Sequence, residues 1–493
     1  VTSRIGAASL GRLLPARWRT GPAVYLGLAD AVRLLVLDGR LPLDVRVPSE
    51  RELAAALGVS RTTVTAAYER LREQGFLVSR QGAGSWTATP SGGRAGVVPG
   101  GPAIRPARPG ELPEGVVDLA AAALPAGPQV VSAYTAALDA LPRHLPGIGY
   151  DVVGLPELRE AIAAWYGRRG LPTSADDVVV TSGALHAITL AFRVLVEPGD
   201  RVLVDHPTYP NALESLRAAG GRPVPVGVGA ASGAGPAGWD LDEVAATVRQ
   251  AAPVAGYVVP DFHNPTGGCL SPAGREALVA AAGAARTTLV VDESLTELWF
   301  DAPPPPPVAA FGHLERVVSV GGLSKVFWGG LRIGWLRADR RVLQRVVTAR
   351  LASDVGSPVL DQLAAVHLLT HSAAAAAVAD RRRRLARLRD DWGVALRRGL
   401  PAWRATRPAG GLSLWARLDA PVSSAMAAAA ARHGLRLAPG PVFGLDGAFD
   451  RYLRIPLVPT AEGPEEVVRR LAALRTEATG SLAGRGWEAL PVA

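Results

Sequence analysis

Between residues 23 and 38 the apolar positions Val24, Leu28, Val32, Leu35 and Val36 recur at helical spacing, which predicts an amphipathic helix. Ser49 with Glu52 three residues on has the form of a capping box and opens a second helix through ELAAALG, with Gly58 as the turn after it. Ser60 suits the N-cap of a third helix reaching about Gln74, and Gly75 stops it. FLVSRQGAGSWTA then reads as two short strands around Gly82-Ala83-Gly84, a hairpin. From residue 89 to 115 the periodicity gives way to Pro, Gly and Ser. From Val116 to about Ala478 apolar strands (DDVVVTSG, DRVLVDHP, GYVVPDFHNP, TTLVVDES, RVVSVGGLSK) alternate with amphipathic helices, as βαβ units do.

The pattern divides the chain into five parts. They are an arm at 1–21 holding Arg4, Arg12, Arg17 and Arg19, a helical domain with a hairpin at 22–88, and a Pro/Gly-rich linker at 89–116. An α/β domain follows at 117–478, its large part at about 150–340 and its small part at about 341–478 together with the domain's start, and 479–493 form a tail. Composition adds one sharp fact. Of 53 basic residues only Lys325 is lysine, so 52 are arginine. Abundant Ala, Gly, Pro and Arg indicates a GC-rich coding sequence, so the arginine habit and the modest net charge of +9 carry little functional meaning. The single cysteine, Cys269, excludes an intrachain disulfide, and no Cys/His spacing points to a metal. No signal-peptide pattern and no apolar run of spanning length are seen, so a cytoplasmic protein without membrane contact is expected.

Helix, short turn, helix, hairpin is the arrangement in which the start of the second motif helix enters the major groove of double-stranded DNA. Here that start is Ser60-Arg61-Thr62-Thr63, an arginine able to fork onto guanine beside small hydroxyls able to reach phosphate or base. Spacing alone also fits a small helical domain with surface arginines. The stretch LPLDVRVPSERELAAALGVSRTTVTAAYERLREQGFLVSRQGAGSWTA, however, resembles the winged helix of GntR-family regulators almost without a gap. That resemblance implies DNA contacts at Ser49, Arg51, Ser60, Arg61, Thr62, Thr63, Gly82 and Gly84.

In the α/β domain, Lys325 sits in GLSKVFWGGLR. Carbonyl chemistry with an aldehyde cofactor needs an amine that can be neutral, which lysine offers and arginine does not. Arg332, seven residues on, suits a bidentate contact to a phosphate. Asp292 ends the strand TLVVD, where a carboxylate can pair with a pyridinium nitrogen or simply end a strand. Asn264 lies in the turn DFHNPTG, Tyr209 in HPTYP, and Arg454, which could fork onto a carboxylate, in YLRIP. VTSGA leads from a strand into a helix start, where free N–H groups bind phosphate. Singly, each also reads as an ordinary packing or turn residue.

In this order the segments resemble a fold-type I, class I/II aminotransferase over roughly residues 117–475. The resemblance implies pyridoxal 5'-phosphate (PLP) as cofactor. Lys325 would be the internal aldimine lysine beside Ser324, Asp292 the ring-nitrogen partner, Asn264 the ligand of the ring oxygen and Tyr209 the stacking residue. Gly183, Ala184, Leu185 and Arg332 would hold the phosphate, Arg454 the carboxylate of a substrate or effector, and Tyr150 would reach the phosphate of a second subunit. Three departures stand out: Ser294 and Leu295 where relatives carry a tyrosine, Gly322 where many carry a serine, and Ala184 and Leu185 where side-chain donors are common.

The fold class expected is therefore α/β: a winged helix-turn-helix domain, then a PLP-dependent transferase domain with a mostly parallel central sheet. The combination resembles the MocR/GabR branch of GntR regulators, which implies a homodimer, head to tail, that senses PLP or a small amino compound. The reading is a regulator rather than a turnover enzyme, with a residual half-reaction left open. The alternative is an active PLP-dependent aminotransferase with an accessory DNA-binding domain, and a third reading is a repressor with a purely structural second domain. The run Arg381–Arg384 with Arg387 and Arg389 reads as a solvated helix face or as a basic surface toward DNA or the partner's reader domain.

Overall fold

The computed structural model describes residues 5–14, 18–19, 23–37, 41, 45–80, 84–88, 107, 111–229, 238–312 and 314–484. By contacts the chain groups into two compact units, one of Val1–Ala103, Arg417–Leu453 and Arg470–Ala493, the other of Ile104–Ala416 and Arg454–Arg469.

The first unit contains helices α1 (Ala7–Leu13), α2 (Val24–Leu37), α3 (Glu50–Leu57) and α4 (Arg61–Glu73) and the antiparallel hairpin of β1 (Leu77–Arg80) and β2 (Gly84–Thr87). The capping box forms as the pattern predicts: Ser49 Oγ accepts from Glu52 N, and Glu52 reaches back to Ser49 N at 2.9 Å. Gly58 then takes the left-handed conformation (φ +63°), which only a residue without a side chain adopts at no cost. Ser60 caps α4 by accepting from Thr63 N. Val64, Ala67, Tyr68 and Leu71 turn one face of α4 into a core shared with Leu28, Val32, Leu35 and Val36 of α2 and Leu53 and Leu57 of α3. The segment expected to be an arm differs. Its residues 7–13 form α1, and Leu10 and Leu14 are buried in that same core. Burying a leucine is worth about 1.5–3 kcal/mol, so the two together offset part of the entropy lost in ordering this short helix.

The second unit is built on an eight-stranded sheet. Its strands are β3 (Val178–Thr181), β4 (Arg201–His206), β5 (Arg222–Gly229), β6 (Gly238–Trp239), β7 (Ala255–Val258), β8 (Thr288–Asp292), β9 (Val317–Gly322) and β10 (Gly334–Arg337). They lie in the order β3-β10-β9-β8-β7-β4-β5-β6. The five from β9 to β5 run parallel, whereas β10 is antiparallel to both neighbours and β6 to β5. Strands buried throughout, such as β3, β7 and β9, are the continuous apolar runs expected of a sheet covered on both faces. Helices α5 (Pro128–Ala140), α6 (Pro156–Arg168), α7 (Ala184–Leu195), α8 (Pro210–Ala218), α9 (Leu241–Ala251) and α10 (Pro272–Ala284) precede or connect these strands. After the sheet come α11 (Arg340–Leu351), α12 (Val359–Thr370) and α13 (Ser372–Gly399).

Of the linker expected at 89–116, only residue 107 and residues 111–116 are described. In the region expected as a tail, a helix begun at Gly463 continues to Gly484, and 485–493 lie outside the described residues. Among the described residues no single helix is long and apolar enough to cross a membrane, and no group of three or more His, Cys, Asp or Glu side chains could hold a metal ion.

Candidate cofactor site and nucleic-acid interface

In an open parallel sheet, ligands bind beyond the carboxyl ends of the strands, where the connections diverge. Asp292 ends β8, Lys325 follows the end of β9, and Ser182-Gly183 follow the end of β3. The register of β9 on β8 sets Val320 beside Asp292, which brings the loop carrying Lys325 next to that carboxylate.

Lys325 is half-buried, and its Nζ donates to the carbonyl of Ala122 at 2.8 Å. Burial disfavours the ammonium, the nearby Arg454 guanidinium disfavours it further, and Asp292 opposes both; the net effect lowers the amine to about 8. Arg454 is itself buried, held by the carbonyl of Ala120, and desolvation brings it down to about 10. The carbonyls of Ala120 and Ala122, two residues apart, thus hold both groups. The strand that carries Arg454 is tied in by Leu457 N donating to Leu412 O at 2.8 Å.

Asp292 accepts from the Tyr257 hydroxyl at 2.8 Å and from Ser294 through its N–H (2.9 Å) and its hydroxyl (2.5 Å). Burial first, and the Asp292 charge second, hold the Tyr257 phenol well above its ordinary value and push Tyr209 up to about 12. Tyr209 is the N-cap residue of α8. Asn264 Oδ1 and Ser324 Oγ are buried without a hydrogen-bond partner among the described residues.

The turn into α7 is shaped by glycines. Gly183 has φ +95°, and a Cβ there would stand 2.8 Å from Arg332 Nη2. A Cβ on Gly334 would meet Gly183 and Ala184 backbone atoms closer than 3.0 Å, so β10 passes this turn only because it carries no side chain there. Arg332 Nη2 donates to Ser182 O at 2.7 Å, which sets its guanidinium beside the start of α7. No side chain caps that start, so its N–H groups and the positive end of the helix are available to an anion. Ala184 and Leu185 contribute backbone only. Tyr150 is 72% exposed.

The structure therefore brings Lys325, Asp292, Tyr209 and Arg454 close enough to perturb one another, with Arg332 and Gly183 at the adjoining turn. Sequence reasoning missed Tyr257, the Ser294 hydroxyl and the carbonyls of Ala120 and Ala122. It also missed Arg381, which donates to Val326 O (2.6 Å), Phe327 O (2.9 Å) and Pro125 O (3.0 Å) and so ties the lysine loop to the segment that holds Lys325 and Arg454. The arginine run is accordingly not one solvated or DNA-facing surface. Arg381 and Arg389 are buried, and Arg382 pairs with Glu297 and covers Trp299 at 4.1 Å. Arg383 and Arg384 are exposed and pair with Asp380.

In the first unit, Ser49, Arg51, Ser60, Arg61 and Thr62 are exposed and Thr63 is half-buried. Ser60 Oγ lies 2.7 Å from both Thr62 Oγ1 and Thr63 Oγ1, a hydroxyl cluster at the start of α4. Gly84 opens β2 at φ +98° and packs on Arg46, where a Cβ would meet Nε at 3.0 Å. Gly82 lies outside the described residues.

Comparison with known proteins agrees with both halves. A family model described as aminotransferase class I and II matches residues 115–473, and one described as bacterial regulatory proteins, gntR family, matches residues 24–86. The chain is similar to the uncharacterized HTH-type transcriptional regulator YdcR of Escherichia coli (strain K12), 28% identical over 92% of this chain and 99% of that protein. It is also similar to a probable rhizopine catabolism regulatory protein, MocR, of Rhizobium meliloti, 30% identical over 63% of this chain and 64% of that one. Among solved structures it resembles the α-aminoadipate aminotransferase LysN of Thermus thermophilus, complexed with N-(5'-phosphopyridoxyl)-L-leucine. The TM-score is 0.67 and the identity 27%, covering 77% of this chain and 96% of that one.

Proposed function

The chain belongs to the class I and II aminotransferase family and carries a gntR-type winged helix ahead of that domain, the plan of MocR-type regulators; from this premise we propose that it regulates transcription with PLP as a sensed ligand. One pairing carries the reading. An exposed, hydroxyl- and arginine-bearing helix start shares a chain with a half-buried amine set between Asp292 and Arg454.

The residues fit the cofactor. Among the described residues Asn264 and Ser324 keep buried polar atoms without partners, and the Gly183 turn leaves open the space that a side chain would fill beside Arg332. Ser324, Gly183, Ala184, Leu185 and Arg332 would hold its phosphate, Asp292 its ring nitrogen, Asn264 its ring oxygen and Tyr209 one ring face. When bound, the cofactor supplies an electrophilic carbonyl carbon and an electron-withdrawing ring. Lys325 presents a largely desolvated amine with its proton weakly held. Arg454 provides a buried cation for the carboxylate of an amino compound, the second ligand of the same site. Ala184, Leu185 and Gly322 offer no side-chain donors, which weakens contacts to the phosphate and ring and counts against efficient turnover more than against binding. That Lys325, Asp292 and Arg454 stand together is what favours the second reading, an active aminotransferase with an accessory reader.

The protein works as a cytoplasmic homodimer. Val131 and Leu138 of α5 and Leu145, Ile148 and Tyr150 after it are all more than half exposed, an apolar face suited to a second copy. The winged helix binds double-stranded DNA through the start of α4 and the hairpin. Selection of genomic fragments by the purified full chain tests the reader: enrichment of a short common sequence, lost in Arg61→Ala, is expected. Uniform recovery of fragments would contradict it.

A further inference from the structure

Behind the loop that carries Lys325 is a cavity of about 210 Å³. Trp165, Trp335, Phe327, Leu323, Leu368 and Val378 form its apolar walls. Trp165 and Trp335 meet edge to face at 5.7 Å, and both indole N–H groups are already used, on Glu297 (2.7 Å) and on the Tyr166 hydroxyl (3.1 Å). The aromatic walls therefore offer surface rather than donors.

Arg168, Glu293, Ser294, Glu297 and Arg382 share the lining, and of these five Glu293 alone is buried. Glu293 lines the cavity and is only 3% exposed. Its Oε2 accepts from the Tyr166 hydroxyl at 2.8 Å and lies 3.8 Å from Arg169, while its Oε1 has no hydrogen-bond partner among the described residues. A buried acceptor left unpaired is costly, and a ligand donor would remove that cost. The charge nearby is already balanced: Arg169 lies beside Glu293 and Arg382 pairs with Glu297. A cationic ligand would find no unbalanced anion here, so an uncharged donor matches better.

We propose that this cavity is a second small-molecule site that takes an uncharged, flat aromatic molecule bearing one N–H donor, with the donor on Glu293 Oε1. The site is distinct from the one that holds Lys325, and its occupant has neither the amine nor the carboxylate needed there. The two sites share walls. Gly322, Leu323, Val326 and Phe327 line the cavity and flank Lys325, and Ser294, also in the lining, donates to Asp292. An occupant that favours one position of these segments changes affinity at the lysine site, and by linkage the reverse holds equally.

The test needs no added cofactor, so it stands or falls apart from the reading above. The full chain is titrated calorimetrically with indole and with benzofuran, which has the same shape and no N–H. Two variants accompany it: Ala375→Trp, exposed at the cavity edge, and Leu369→Trp, half-buried on the same lining, which replaces the first should it fail to fold by circular dichroism. Expected are one saturable site for indole, benzofuran weaker by at least about tenfold, and no binding in the blocked variant. Absence of saturation, equal binding of benzofuran, or undiminished binding in the blocked variant would overturn the proposal.

Discussion

The Lys325 amine gives the sharpest quantitative consequence. Lys325 is lowered to about 8 from an ordinary lysine value of 10.5, chiefly by burial. Only the neutral amine attacks a carbonyl carbon. At pH 7.5 an amine at 8 is neutral in roughly a quarter of molecules and one at 10.5 in roughly a thousandth, a gain of about 200-fold. The rate of PLP capture, followed by visible absorbance after rapid mixing with cofactor-free protein, should rise with pH and level off just above 8. The neighbours give the sign. Asp292→Asn removes the one charge that favours the ammonium, so the midpoint moves down; Arg454→Gln removes a charge that disfavours it, so the midpoint moves up. A capture rate still climbing steeply beyond pH 9.5 in the wild type would refute the electrostatic argument, as would shifts of opposite sign.

Three further outcomes are expected. Gly183→Ala places a Cβ 2.8 Å from Arg332 Nη2 at a φ of +95°; at about 1–2 kcal/mol of backbone strain, equilibrium dialysis should give PLP binding at least about tenfold weaker, and wild-type affinity would show the turn is not part of the site. Arg381→Met strips donors from three carbonyls; at about 1 kcal/mol per hydrogen bond, urea unfolding should report a loss of roughly 2–4 kcal/mol, and no loss would mean the clamp is ornamental. Ser60→Ala removes the cap of α4, which costs about 1 kcal/mol; the winged helix should melt earlier and bind selected DNA more weakly, and an unchanged melt would count against the cap.

How much of this could be read from the chain depended on where the signal lies. The caps of α3 and α4 were legible because Ser49, Glu52 and Ser60 act on backbone within three residues. Lys325 was legible because one amine among arginines needs a chemical reason. Tyr257 was not: its hydroxyl meets Asp292 only because β7 and β8 pair in parallel with Tyr257 beside Val290, a register no local pattern encodes. The carbonyls of Ala120 and Ala122 leave no side-chain trace at all. Arg381 misled because a charge run suggests water, yet Arg381, Leu385, Arg389 and Trp392 share one buried helix face and the guanidinium of Arg381 finds carbonyls from distant segments. Helix α1 was hidden by its arginine-bearing surroundings, although Leu10 and Leu14 carry the apolar spacing that buries it.

The central claim is that PLP at Lys325 alters what the winged helix does on DNA. The direct measurement is the affinity and footprint of the full chain on its selected DNA, at fixed salt, with and without PLP, for the wild type and for Lys325→Ala. A change in affinity or footprint with PLP in the wild type, absent in Lys325→Ala, is the predicted result; equal affinity and equal footprint in all four conditions would contradict the account.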